Sequence, residues 1–116
     1  MEKRKTKRKL TAILSADVKG YSRLMGEDEV ATIHTLEEYR RVMSGLITKH
    51  RGRVVDSPGD NVLAEFASVV GAVESAVAIQ KELKGKNTEL PENRRMQFRT
   101  VLLYRASSKA HGSLLF

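Results

Sequence analysis

Asp17 is the residue whose type and position most clearly suggest chemistry in this 116-residue chain. It follows the short apolar run 12–16, which is typical of a buried strand, and Gly20 lies three residues further on. An unpaired buried charge costs several kcal/mol, so Asp17 needs a cation or a hydrogen-bond donor. The backbone amides of residues 19–22 could face an anion once the chain turns at Gly20, which indicates a metal-bound phosphate. The alternative is that Asp17 only caps a turn at residues 21–25.

The composition limits the classes of protein to which the chain can belong. Hydrophobic residues make up 41% of it and charged residues 30%, which is typical of one globular domain. The chain has no cysteine, which excludes disulfides, thiolate metal sites and cysteine nucleophiles. No apolar run approaches the roughly 20 residues that span a bilayer, and no segment resembles a signal peptide. We therefore expect no membrane span and a cytoplasmic location.

The positive charge is concentrated at the N-terminus. Of a net charge of +7, residues 1–9 account for most, with six lysines or arginines and one glutamate. Such a run is typical of a solvated, disordered leader. Nucleic acid is not an expected partner, because the run has no interleaved aromatic residues and the whole chain is only 5% aromatic.

Two helices are predicted from apolar residues that recur every three or four positions. The first covers residues 27–50 and has acidic residues at its start and basic residues at its end, as the helix dipole favours. The second covers residues 69–83, with Ser68 as its N-cap and Gly85 just past its end. The polar stretch over residues 84–95 then predicts a loop.

Two further regions alternate apolar and polar residues and predict strands. Residues 53–66 form a hairpin about a turn at Pro58-Gly59, and residues 96–104 form the last strand. With the strand that ends at Asp17, the order is βαββαβ. We therefore expect an α+β, ferredoxin-like fold, in which two helices cover one face of a four-stranded antiparallel sheet. The first and third strands are central neighbours in such a sheet, which brings Asp17 and Asp60 to the same edge.

The two aspartates lie in stretches that resemble a known family. A pair of carboxylates beside a glycine turn supplies the hard oxygen ligands that two magnesium ions need. The stretches Ile-Leu-Ser-Ala-Asp-Val-Lys-Gly-Tyr-Ser at residues 13–22 and Gly-Asp-Asn-Val-Leu-Ala-Glu-Phe at residues 59–66 precede an alanine-rich helix. Together they resemble the catalytic domain of the class III nucleotidyl cyclases, the adenylate and guanylate cyclases. The resemblance covers residues 9–99 and implies conversion of ATP to cyclic AMP and pyrophosphate.

The resemblance also implies a role for each matching residue. Asp17 and Asp60 would ligate two Mg²⁺ or Mn²⁺ ions, together with the backbone carbonyl of Val18. One ion would activate the ribose 3′-hydroxyl and the other would hold the leaving pyrophosphate. Arg99 would bind the triphosphate, for which its forked donors are suited. The backbone amides of three residues would hold the same triphosphate: Gly20, Tyr21 and Ser22.

Two regions depart from the family pattern. Asp56 stands where adenylate cyclases usually carry a lysine that reads the purine. A carboxylate there could accept a hydrogen bond from an exocyclic amine or be a turn residue without a role, and adenine is the expected base. Residues 100–116 do not continue the pattern, and the family's transition-state asparagine and arginine have no counterpart there, so no catalytic residue is assigned. We expect a C-terminally truncated cyclase domain at residues 10–104 and an unrelated tail at residues 105–116, as from a frameshift.

Family members form their sites between two subunits, which leaves two interpretations of this chain open. It could supply the metal half of a site, either as a homodimer or as a heterodimer with an intact cyclase. Its function would then be cyclic nucleotide synthesis in intracellular signalling. Alternatively, it is a noncatalytic module that binds a nucleotide or is vestigial.

Overall fold

The computed structural model describes residues 12–55, 59–105 and 111–116. The predicted leader at residues 1–9 and the purine-reading candidate Asp56 lie outside these residues. Within these ranges there are five strands, three α-helices and one short 3₁₀ helix. In chain order they are β1 (Ala12–Val18), α1 (Tyr21–Glu27), α2 (Glu29–Lys49), β2 (Gly52–Val55), β3 (Val62–Phe66), α3 (Val69–Asn87), the 3₁₀ helix (Glu92–Arg94), β4 (Phe98–Arg105) and β5 (His111–Leu115).

The strands form one antiparallel sheet in the order β2-β3-β1-β4-β5. The first and third strands are neighbours, as predicted, and Ser15 of β1 pairs with Leu63 of β3 on one side and with Val101 of β4 on the other. The predicted α+β class and antiparallel arrangement are confirmed. Four of the strands have the order expected of a split βαβ fold.

The sheet contains a fifth strand, β5, whereas a four-stranded sheet was predicted. β5 pairs with β4, and the backbones of Thr100 and Phe116 exchange two hydrogen bonds of 2.7 and 3.2 Å. Arg105, which the prediction placed in the tail, belongs to β4 and pairs with His111. The physical reason is that β4 would otherwise leave a row of backbone groups unpaired at the sheet edge. The segment predicted as an unrelated tail thus takes part in the sheet through residues 111–115.

The core lies between one face of the sheet and the helices. In β1 every second residue from Ala12 to Val18 is buried, whereas Ile13 on the other face is 37% exposed. The buried residues of α2 and α3 recur at helical spacing, as an amphipathic helix requires. They include Leu36, Tyr39, Met43 and Ile47 of α2 and Ala72, Ala76, Ile79 and Leu83 of α3. No helix in the described ranges combines the length and the apolar character needed to cross a bilayer.

The helix boundaries differ from the prediction at two places. The helix predicted over residues 27–50 corresponds to α2, which begins two residues later because Asp28 is extended (φ −161°) and its side chain accepts from the Ala31 N–H as the N-cap. The short helix α1 ends at the first residue of this range and was not predicted. The second helix begins after Ser68 as predicted, since Ser68 accepts from the Gly71 N–H. It continues past Gly85 to Asn87, into the predicted loop. Gly85 predicted the end of this helix, but the tertiary contacts of Asn87 extend the helix past it.

The side chain of Asn87 both accepts and donates hydrogen bonds in a buried polar network. Its Oδ1 accepts from the Tyr39 hydroxyl at 2.7 Å and from the Met96 N–H at 3.1 Å, and its Nδ2 donates to the Met96 carbonyl at 3.0 Å. Burial, with Glu38 and Glu89 nearby, raises the pKa of Tyr39 to about 12. The network ties α2, α3 and the segment before β4 together.

Tyr39→Phe tests this network. At pH 7 we expect a loss of about 0.5–1.5 kcal/mol in the free energy of unfolding, because one buried hydrogen bond is removed. The folded-state pKa lies above the unfolded value, so the stability linked to the Tyr39 proton is complete below pH 10 and is lost as the pH rises toward 12. Urea unfolding from pH 7 to pH 11.5 should therefore show a steeper alkaline decline for the wild type than for the variant. Equal declines would contradict the network's role.

Candidate metal and nucleotide site

The two aspartates come from separate segments that meet at one edge of the sheet. Asp17 lies near the end of β1, and Asp60 lies just before β3. The Asp60 Oδ2 accepts a hydrogen bond of 3.1 Å from the backbone N–H of Val18, which is 42 residues away in the sequence. The Asp60 carboxylate therefore reaches the residue that follows Asp17, as the predicted strand order requires.

Asp17 faces the side of the sheet away from the helices, where Arg99 lies directly opposite it on β4. Arg99 Nη2 donates to Asp17 Oδ2 at 3.2 Å, and the two side chains are 58% and 38% exposed. The interpretation that Asp17 caps the following turn is wrong, because α1 has Gly20 as its N-cap residue and no side chain caps it. Exposed pairs of this kind contribute about 0–1 kcal/mol, so a divalent cation can replace Arg99 on Asp17 at little cost.

The turn after β1 brings the chain sharply back into α1. Gly20 has φ 64° and ψ 35°, a left-handed conformation that glycine adopts without strain. The Lys19 N–H donates to the Gln97 carbonyl at 2.8 Å, which fixes the turn against the segment before β4. The first N–H groups of a helix have no intrahelical acceptor, so the backbone at Tyr21 and Ser22 offers free donors at the turn that follows Asp17.

Three polar residues that the sequence analysis did not select support the turn at Asp60. Asn61 Nδ2 donates to the Ser15 hydroxyl at 3.2 Å, and Arg40 Nη2 donates to the Asn61 carbonyl at 2.6 Å. Ser15 is a polar residue in an apolar strand, which is the one sequence signal that could have singled it out. Gly59 has φ 66°, the left-handed conformation that the predicted Pro58-Gly59 turn needs.

The candidate metal donors predicted for this edge are two carboxylates and the backbone carbonyl of Val18. Hard oxygen donors of this kind suit Mg²⁺ or Mn²⁺. Within the described part of the chain, no group of three or more histidine, cysteine, aspartate or glutamate side chains could hold a metal ion. A metal site here therefore needs further oxygen atoms from water or from a phosphate.

A groove of about 750 Å³ lies elsewhere, between α3 and the segment that leads into β4. Its lining includes Lys19, Lys81 and Lys84. Neither Asp17 nor Asp60 lines it, so the candidate metal site is separate from this groove.

Two curated proteins are similar to this chain in sequence. No family model matches the chain. Putative adenylate cyclase 3 of Rhizobium meliloti (strain 1021) is 46% identical over 101 residues, which are 85% of this chain and 17% of that protein. The serine/threonine-protein kinase pkn2 of Myxococcus xanthus is 30% identical over 94 residues, which are 80% of this chain and 11% of that protein. The chain thus spans less than a fifth of either curated relative.

A solved structure extends the comparison to the fold. The adenylate/guanylate cyclase/hydrolase from Silicibacter pomeroyi matches with a TM-score of 0.75 and 31% identity, over 95% of this chain and 60% of that one. The similarity therefore extends over almost all of this chain but less than two thirds of that relative. In sequence and in fold, the chain corresponds to part of a catalytic domain of the adenylate and guanylate cyclase family.

Proposed function

We propose that this chain supplies the metal-binding and triphosphate-binding half of an adenylate cyclase site. The observation that carries the proposal is the hydrogen bond from the Val18 N–H to Asp60, which joins the two aspartate segments beside the Gly20 turn. The relative with 46% identity is named a putative adenylate cyclase, which favours ATP as the substrate.

Asp17, Asp60 and the Val18 carbonyl are the proposed ligands of two Mg²⁺ or Mn²⁺ ions. When bound, such ions supply charge stabilisation to phosphate oxygens and an activated hydroxyl nucleophile. Asp60 commits Oδ2 to the Val18 N–H, which orients its other oxygen. Arg99 holds Asp17 by an exposed, weak pair and is proposed to bind the triphosphate in exchange. The amides of Gly20, Tyr21 and Ser22 are the proposed donors to the same group.

The second half of the site is proposed to come from another subunit. The sheet face that carries Asp17 and Arg99 also exposes apolar side chains: Ile13 is 37% exposed, Leu103 is 54% exposed and Leu115 is 72% exposed. Ile13 and Leu103 are direct neighbours across β1 and β4, so they form a continuous apolar surface. Exposed apolar surface of this kind favours a protein partner, here a second copy or an intact cyclase. That partner would contact the face on which the metal site lies.

The test is complementation of an inactive partner. An intact cyclase whose two metal aspartates are both changed to asparagine is mixed with this chain, Mn²⁺ and ATP, and cyclic AMP is measured. We expect cyclic AMP from the mixture and little from either protein alone, because each supplies one half of a site. The same mixture with Asp17→Asn in this chain should be inactive. A mixture that forms a complex without producing cyclic AMP would contradict the proposal.

A second candidate function is a noncatalytic nucleotide-binding module. It is favoured by residues 100–116, in which the family's transition-state asparagine and arginine have no counterpart. This function predicts that Mn²⁺ and ATP bind to the chain while every mixture with a partner remains inactive.

A further inference from the structure

Arg94 makes a cluster of contacts that the candidate site does not explain. It lies at the end of the 3₁₀ helix and its side chain is only 17% exposed. Its guanidinium reaches the junction between α1 and α2, where it donates to the Leu24 carbonyl at 3.4 Å and the Asp28 carbonyl at 3.3 Å. It also donates to the Thr32 hydroxyl at 2.5 Å and lies 3.6 Å from the Glu27 carboxylate. One side chain therefore contacts four groups at the junction between α1 and α2.

The hydroxyl of Thr32 contacts the same two backbone carbonyls, those of Leu24 and Asp28. It is completely buried and lies 2.8 Å from the Leu24 carbonyl and 2.7 Å from the Asp28 carbonyl. Both carbonyls already accept a backbone N–H, the Leu24 carbonyl from Asp28 and the Asp28 carbonyl from Thr32. Arg94 therefore adds a further, charged donor that ties residues 93–99 to this junction. Charged donors to carbonyl groups are stronger than neutral ones, which fixes the position of the helix end.

The segment that carries Arg94 also holds the other end of α1. The Lys19 N–H donates to the Gln97 carbonyl at 2.8 Å, and Arg23 donates to the Asn93 carbonyl at 3.4 Å. Two residues after Gln97, Arg99 pairs with Asp17. α1 has only seven residues, and a helix this short is unstable without tertiary contacts. Residues 93–99 therefore hold α1 and the preceding turn against the edge of the sheet.

We propose that Arg94 is a positioning residue for the triphosphate. It does not contact the aspartates or the proposed triphosphate donors; it fixes α1 at its far end and so fixes the Lys19–Gly20 turn. This inference rests on the proposed function, because it assumes that the triphosphate binds at that turn. The two aspartates lie outside α1, the segment that Arg94 holds. The affinity for metal should therefore depend on Arg94 much less than the affinity for triphosphate.

The test compares two ligands by calorimetry: Mn²⁺ alone, and Mn²⁺ with inorganic tripolyphosphate. We expect Arg94→Gln to weaken tripolyphosphate binding about tenfold, in the range found for outer positioning groups, and Mn²⁺ binding less than about twofold. Arg94→Lys should recover part of the loss, and Thr32→Val should show an intermediate loss. Arg95→Gln is the matched control, because Arg95 is the next residue and donates to the Leu90 carbonyl, away from α1.

Hydrogen exchange of the amides at residues 19–24 provides a readout that needs no ligand. We expect faster exchange in Arg94→Gln than in Arg95→Gln. Unchanged exchange at these amides, or equal loss of both ligands in step with a lower melting temperature, would overturn the positioning role. Failure of the wild type to bind Mn²⁺ with tripolyphosphate would instead overturn the proposed function, and this inference with it.

Discussion

Asp17→Asn and Asp60→Asn are each expected to weaken binding of Mn²⁺ with ATP by more than about 100-fold. Loss of an outer positioning group already costs about 10–100-fold in metal affinity, and each of these changes neutralises one of the proposed ligands. Asparagine keeps the size of the side chain and can still accept from the Val18 N–H at position 60. The Asp17 pair with Arg99 is exposed, so its loss should change stability by about 0–1 kcal/mol. Isothermal titration with Mn²⁺ and ATP measures the affinities.

Glu37→Gln is the control for this experiment. Glu37 is an exposed carboxylate on α2, so its neutralisation changes the net charge by the same amount without touching the sheet edge. We expect wild-type affinity in this variant. Equal losses in all three variants would show that overall charge, and not a site at Asp17 and Asp60, governs binding. Full affinity in both aspartate variants would contradict the metal site.

Phe66→Ala is expected to give the largest change in stability, a loss of about 3–5 kcal/mol in the free energy of unfolding. Phe66 ends β3, is 1% exposed and packs directly on Gly52 of β2. Removal of the ring leaves a cavity under the two strands that lead into and out of the turn at Asp60. Because domains of this size are stable by about 5–15 kcal/mol in total, the variant should be partly unfolded at moderate urea concentrations. Urea unfolding followed by circular dichroism measures the loss.

Two glycine variants are expected to change stability in opposite directions, and the first of them tests the contact with Phe66. A Cβ at Gly52 would overlap the Phe66 ring, so Gly52→Ala should cost about 1–3 kcal/mol through overpacking. A Cβ at Gly45 meets nothing within 4 Å, so Gly45→Ala should stabilise α2 by roughly 0.5–1 kcal/mol. If Gly52→Ala were as stable as the wild type, the described packing of Phe66 would be wrong.

The central part of the fold could be predicted because its pattern is regular. Alternation in β1 and helical spacing in α2 and α3 reflect burial against one core, and the order of the elements then fixes which strands are neighbours. From that order, the sequence predicts that Asp17 and Asp60 lie at one edge of the sheet. The hydrogen bond between Val18 and Asp60 agrees with this expectation.

The strand β5 and the end of α3 could not be predicted because tertiary contacts determine them. The residues of β5 include Gly112 and Ser113 and lack an alternating apolar pattern; they pair because β4 offers an open edge. α3 passes Gly85 because Asn87 is held by Tyr39 and Met96.

The supporting side chains of the site were missed for a related reason. Arg94 and Thr32 are 62 residues apart in the sequence, and Asn61 and Ser15 are 46 residues apart. Such pairs follow no local period, so their partners become visible only when the strands and helices are assembled. The pair of Arg99 and Asp17 likewise depends on the register between β1 and β4.

The most direct test of a shared metal site is paramagnetic broadening of backbone amide signals by Mn²⁺ in nuclear magnetic resonance spectra. The account predicts that amides at residues 17–20 and at residues 59–61 lose intensity together, at the lowest Mn²⁺ concentrations. Asp17→Asn should protect both groups at once, because they surround one site. Broadening of only one group, or of neither while other regions respond, would contradict the account.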